Sequence, residues 1–208
     1  MPSERSQKKG KDKWKEKTWY TILLPDFFGS KEVGSSPASG PESMVGRRIE
    51  VPVSDVTGNF KKGTSRLVLK VKSCEGSNCR TELVGHYVSD DSIRRMVRRR
   101  KERIDSYVRV ATVDNHSIVI KVVIVADQKL TSARRADLRM SVERFLTDRI
   151  SKLSIGDAAL FLIGDEIYNE IQASVRNIYP VKKVEIRKSE ISLMNGSPSA
   201  PVEEAITQ

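Results

Sequence analysis

The chain has 208 residues, a formal net charge of +10 and an isoelectric point near 9.7, with 38% hydrophobic residues. That length is enough for one large domain or two small ones, the apolar content suffices for a core, and the positive surplus attracts polyanions without specifying a fold. No apolar run reaches the about 18 residues of a membrane helix, and the amino terminus lacks the apolar centre of a secretory signal, so no membrane partner is expected and the cytoplasm is the default compartment.

Residues 1–17, MPSERSQKKGKDKWKEK, read as a disordered basic arm. Arg5, Lys8, Lys9, Lys11, Lys13, Lys15 and Lys17 outnumber Glu4, Asp12 and Glu16, and such a segment buries too little apolar surface to order alone. Arms of this kind order on nucleic acid. Trp14, its one large apolar residue, has two open roles: stacking on a base or packing back on the folded part.

TWYTILLP at 18–25 begins the folded part as a strand, and a single α+β domain is expected over 18–192. The stretch 29–46, GSKEVGSSPASGPESMVG, is rich in Gly, Ser and Pro and is expected as a loop. RRIEVPV (47–53), TSRLVLKV (64–71), RTELVGHYV (80–88), YVRVAT (107–112) and SIVIKVVIVA (117–126) follow as β-branched, partly alternating strands, broken at VTGNFKKG, CEGSNC and VDNH. Regular short strands suggest a barrel or sandwich. GNFKKGTS at 58–65 has the glycine spacing of a phosphate-binding loop, but Thr64 stands where the lysine must be, so it reads as a hairpin turn exposing Lys61 and Lys62. The two thiols Cys74 and Cys79 cannot make a four-ligand zinc site alone, and the two histidines, His86 and His116, show no ligand spacing with them. In a reducing compartment they are expected as free thiols flanking a Gly-Ser-Asn turn, with a disulfide left open.

SIRRMVRRRKERI at 92–104 sets seven basic side chains against Glu102. Ile93, Met96, Val97 and Ile104 align at 100° per residue, with Arg100 in the same sector, and Ser89, Asp90 and Asp91 suit a helix start. The spacing predicts an amphipathic helix over roughly 90–104. Arg94–Arg98 and Arg95–Arg99 would repel at i,i+4, so a helix tolerating them is expected to face an anion.

From Thr131 the period becomes helical: Leu138, Val142, Phe145, Leu146 and Leu153 form a stripe, with Thr131 or Ser132 as cap. A third helix is expected near 164–178, ended by Pro180, then a last strand at 181–192 and a flexible tail at 193–208.

The sequence carries no nucleophile elbow, no HExxH and no dinucleotide fingerprint. The carboxylate pairs Asp90–Asp91 and Asp165–Glu166 sit at helix starts, where acids are expected on structural grounds. No enzymatic activity, cofactor or metal is expected. The basic residues are dispersed instead, as suits a protein touching folded RNA from several sides. The candidate RNA-contacting residues are Lys8, Lys9, Lys11, Lys13, Trp14, Lys15 and Lys17 of the arm; Lys61 and Lys62; Arg94, Arg95, Arg98, Arg99 and Lys101; Arg134 and Arg135; and Lys182, Lys183, Arg187 and Lys188.

KTWYTILLPDFF, VGRRIEVPVSDV, SNCRTELVGH, YVRVATVDN and NIYPVKKVEIRK resemble, in that order, the S-one-e family of ribosomal proteins, also written S-three-a-e, of archaeal and eukaryotic small subunits. The resemblance covers roughly residues 17–190; the pair Trp19–Tyr20 and the stretch 178–188 are its most specific parts. It implies an α+β fold on a β-barrel-like core, to which the three helices and final strand read above would belong, and a structural role without catalysis. It also implies a place on the small-subunit platform beside the mRNA exit and the 3′ end of the rRNA. The partners would be small-subunit rRNA, neighbouring platform ribosomal proteins and, near the exit channel, mRNA. The short chain and tail match the archaeal type. Cys79 fits the family pattern and Cys74 does not. The alternatives are a metal-dependent RNA-processing nuclease and a free translation or chromatin factor.

Overall fold

Alternation of apolar and polar residues accounts for most of the strands. The computed structural model describes residues 17–193. Among these, in chain order, are β1 (Thr18–Leu23), β2 (Glu32–Ala38), β3 (Arg48–Pro52), α1 (Val53–Thr57), β4 (Ser65–Glu75), β5 (Asn78–Val88), α2 (Asp90–Met96), β6 (Glu102–Ala111), β7 (His116–Ala126), α3 (Ser132–Ile150), α4 (Ile155–Ile163), α5 (Glu166–Val175) and β8 (Val181–Leu193). They group into two compact units, 17–49 with 69–82 and 50–68 with 83–193, so the span expected as 18–192 holds two such units.

In the first unit β1 lies between β2, antiparallel, and the start of β5, parallel. Tyr20, Ile22, Ala38, Met44, Val71 and Cys79 form its core. The segment expected as a loop over 29–46 therefore contains β2, and Met44 is fully buried. The reason is a pairing that composition cannot reveal: Gly34, Ser35, Ser36 and Pro37 lack apolar alternation but face Ile22, Thr21, Tyr20 and Trp19 across the ladder. A two-residue connection, Gly76–Ser77, joins β4 to β5 and sets Cys74 opposite Cys79 with Cα atoms 4.0 Å apart; the two are disulfide-bonded, not free thiols.

In the second unit the end of β5 pairs with β8, β8 with β7, and β7 with β6, all antiparallel. One face of this layer carries Ile104, Val108, Val110, Ile118, Ile120, Val122, Ile124, Val184 and Ile186, packed on Leu138, Val142, Leu146 and Ile150 of α3 and on Ile167, Ile171 and Val175 of α5. Leu138, Val142, Leu146 and Ile150 recur at i, i+4 and so share the stripe that faces the sheet. The Thr131 side chain caps α3 by accepting from the Arg134 N–H at 3.5 Å.

The α+β class is as expected, but the sheet is open: β2, β3 and β6 each pair with one strand only. On β6 a helix side chain meets the backbone where closure would need another strand, since Arg139 of α3 donates to the Asp105 carbonyl at 3.1 Å. Five α-helices stand among the described residues where three were expected. α1 is one short turn, and α4, IGDAALFLI, is a short, mostly apolar run that reads as readily as a buried strand, although it buries only Ala158, Ala159, Leu162 and Ile163. The expected 90–104 helix ends at Met96, and Glu102–Ile104 belong to β6. Ile104, Ser106, Val108 and Val110 are buried while Arg103, Asp105, Tyr107 and Arg109 are exposed; this period of two outweighs the helical one. Leu193 ends β8, and the rest of the expected tail lies outside the described residues.

Candidate nucleic-acid interface

The basic stretch after β5 forms a short helix and a turn anchored at one point. Ile93 of α2 is buried with Val88, Val123 and Val125, and Met96 and Val97 pack against that cluster. Val97 is extended and leaves the helix, Arg100 adopts the left-handed conformation at φ 68°, and the Lys101 N–H closes the turn on the Arg98 carbonyl at 3.1 Å. Arg94 and Arg95 thus occupy the last turn of α2, where the helix dipole favours cations. Arg98, Arg99 and Arg100 project from the turn, and all five are exposed. The helical repulsion expected of Arg94–Arg98 and Arg95–Arg99 does not arise, because the helix ends before the second member of each pair. The helical reading also placed Arg100 among the apolar residues; its exposure follows from the turn.

Around this turn the carboxylates are outnumbered. Asp127 lies 2.8 Å from the Lys101 ammonium and 3.6 Å from that of Lys182. The hydrogen bond to Lys101 holds the Asp127 carboxyl below its usual range and raises Lys101, while Lys182, crowded by Lys101, is lowered. Arg187 meets Asp90 at 3.2 Å, and Arg135 meets Glu102 at 3.3 Å. Lys182 and Arg187 reach these positions because each is the extra residue of a register shift in β8, opposite Val125/Ala126 and Lys121/Val122 of β7. A bulge re-aims the side chain it inserts. Among the described residues, Arg94, Arg95, Arg98, Arg99 and Arg134 form no ion pair.

Of the other expected residues, those described stand apart from this group or are engaged elsewhere; the Lys61 side chain lies outside what the structure describes. Lys183 pairs with Glu185 at 3.7 Å and Lys188 with Glu190 at 2.5 Å, each on its own strand. Lys62 is not exposed: it sits in a 3-10 turn, pairs with Asp165 at 2.9 Å, donates to the Ile163 carbonyl and lies 5.3 Å from the Tyr168 ring centroid, leaving 11% of its side chain accessible. Burial foremost, with the Glu185 charge, raises the Tyr168 hydroxyl pKa. Lys17 is exposed, whereas Lys8, Lys9, Lys11, Lys13, Trp14 and Lys15 lie outside the described residues. Both carboxylate pairs weighed for nuclease chemistry serve basic partners, Asp90 with Arg187 and Asp165 with Lys62. Among the described residues no three His, Cys, Asp or Glu side chains gather as a metal site would need.

A family model described as the Ribosomal S3Ae family matches residues 5–193. The chain is 48% identical over 214 residues, with full coverage of both chains, to "Small ribosomal subunit protein eS1" of Thermoplasma acidophilum. It is 49% identical to the protein of the same name from Picrophilus torridus, over 92% of this chain and 91% of that one. To the one from Methanothermobacter thermautotrophicus it is 33% identical, over 87% and 93%.

Proposed function

This chain belongs to the Ribosomal S3Ae family, and on that footing we propose that it is a structural protein of the small ribosomal subunit that binds rRNA. The observation that carries RNA binding is the exposed arginine group of α2 and its turn, which lacks carboxylate partners among the described residues. Arginine presents donors that suit phosphate oxygens, and phosphate contacts position a protein on RNA without reading sequence. The finer reading puts the protein on the platform beside the mRNA exit and the 3′ end of the small-subunit rRNA, in the cytoplasm. There it neighbours other platform proteins and the emerging mRNA. Family membership and the archaeal relatives support this placement. The role calls for no catalysis, and the engaged state of Asp90 and Asp165 favours it over a nuclease.

The test is binding of small-subunit rRNA fragments as salt is varied. Replacing Arg94, Arg95, Arg98 and Arg99 by Gln keeps helix propensity nearly intact. The expected result is weaker binding and a dependence of log K on log salt flattened by about 0.7–0.9 for each phosphate that is no longer neutralised. An unchanged slope would show that these arginines are merely solvated.

A further inference from the structure

The layer formed by the end of β5 with β8, β7 and β6 has a second face, opposite α3 and α5. Antiparallel partners that stand directly opposite share a face. Tyr87 pairs with Lys188, Lys188 with Lys121, and Lys121 with Tyr107. One row therefore crosses four strands in the order tyrosine, lysine, lysine, tyrosine, spanning about 14 Å at ordinary strand spacing. Burial agrees with this assignment: His86, Ser189, Ile120 and Val108, next along the same strands, point the other way and are buried.

Tyr107 and Lys188 of the row are exposed, and Tyr87 and Lys121 are half-buried. Tyr107 is 54% accessible although it sits mid-strand on a rigid element, and the Arg109 guanidinium donates to its hydroxyl at 3.4 Å. Tyr87 is half-buried and tethered, donating to Glu50 at 2.6 Å. Lys121 makes no ion pair among the described residues; the hydrogen bond from Lys188, aided by the Lys121 charge, holds the Glu190 carboxyl below its usual range. Further along the same face, Val123 and Val125 are covered by Met96 and Val97. The segment that carries the arginines is thus anchored on the same face as the row.

We infer that this row is a stacking surface for unpaired RNA, with a base on the Tyr107 ring and adjoining phosphates on Lys121 and Lys188. Aromatic side chains on a sheet stack splayed bases, and flanking cations track the backbone between them. A paired stem offers no free base face, so the row selects single-stranded segments, whereas the arginine turn accepts phosphate from either form. The inference extends the RNA-binding reading above and rests on it.

The test uses the full-length protein with two fluorescent RNAs, an unstructured oligonucleotide and a hairpin of equal length. Tyr107→Phe should bind both as the unsubstituted protein does. Tyr107→Thr should lose on the order of 5- to 100-fold in affinity for the single strand, little for the hairpin, and keep its salt slope. Lys121→Gln should flatten the slope for the single strand by about 0.7. Single-strand affinity unchanged in Tyr107→Thr, or equal losses for both RNAs, would overturn the inference. So would a Lys121→Gln slope that does not move, a readout that stands even if Tyr107→Thr folds poorly. A Tyr107→Thr variant that binds RNA normally but fails to join small subunits would point to a protein neighbour and overturn it too. The fourfold Arg→Gln variant separates the two readings: if it loses affinity for both RNAs while Tyr107→Thr loses none, phosphate binding stands and stacking fails.

Discussion

His86 is sealed where β5 meets β8. Its Nδ1 lies 2.6 Å from the Ser189 hydroxyl and its backbone N–H donates to the same oxygen at 3.1 Å. Burial, aided by the charge of Lys62, lowers its pKa to about 4. The unfolded chain holds that proton up to about pH 6.5, so between the two values the unfolded state binds more protons and stability rises with pH. The stabilisation is complete above about pH 6.5 and is lost as pH falls toward 4, by about 3 kcal/mol in all. Urea unfolding across this window should show the loss in the unsubstituted protein and a smaller one in His86→Gln; parallel curves would contradict the account. Gly85, beside it, has φ 159°, and a Cβ there would stand 2.0 Å from the Ser189 carbonyl oxygen. Gly85→Ala should cost at least about 1–3 kcal/mol, because backbone atoms rather than a yielding side chain must move. Thermal unfolding checks it. None of this was legible in the sequence, where Gly85 and His86 look like ordinary members of an alternating strand. Lys62 misled in the same way: a lysine in a Gly-flanked turn reads as exposed, and only the fold brings Asp165 to it.

At the scale of elements, α2 sets a buried anchor, Ile93, apart from exposed arginines. Ile93 is 2% exposed, so Ile93→Ala should lower stability by about 2–5 kcal/mol while the salt slope of RNA binding holds. The fourfold Arg→Gln variant should do the reverse. β2 offers another check. As its partner is β1, the amides of 32–38 that face β1 should be protected from hydrogen exchange while those facing away exchange freely. Uniformly fast exchange over 32–38 would restore the loop reading. What was legible here followed periodicity. β1, α3, α5 and β8 carry strong patterns and stand close to where the sequence puts them. The boundary of α2 was not, since 93–104 fits a helical seam and 102–111 an alternating strand, and the two overlap at Ile104. Burial of Ile104 against α3 and α5 decides for the strand. β2 lacks apolar alternation and α4 is a short, mostly apolar run, so pattern reading passes over both.

For the molecule as a whole, the positive surplus, the α+β class and the ordered set of family motifs all point to one assignment, and membership of the Ribosomal S3Ae family agrees with it. The exposed cations were legible as a class but not as an arrangement: Arg94, Arg95, Arg98 and Arg99 are exposed as the charge pattern expects, yet Arg98 and Arg99 stand on a turn rather than a helix, and the bulges that aim Lys182 and Arg187 exist only in the register of β7 with β8. The central claim is a structural place on the small subunit, and sedimentation tests it most directly. Cell extract is run on a sucrose gradient, the small-subunit fraction is washed at high salt, and the protein is quantified before and after. The account predicts that it sediments with the small subunit and stays there through the wash, as an integral component does. Release into the supernatant, or absence from that fraction from the start, would contradict it and favour a free factor.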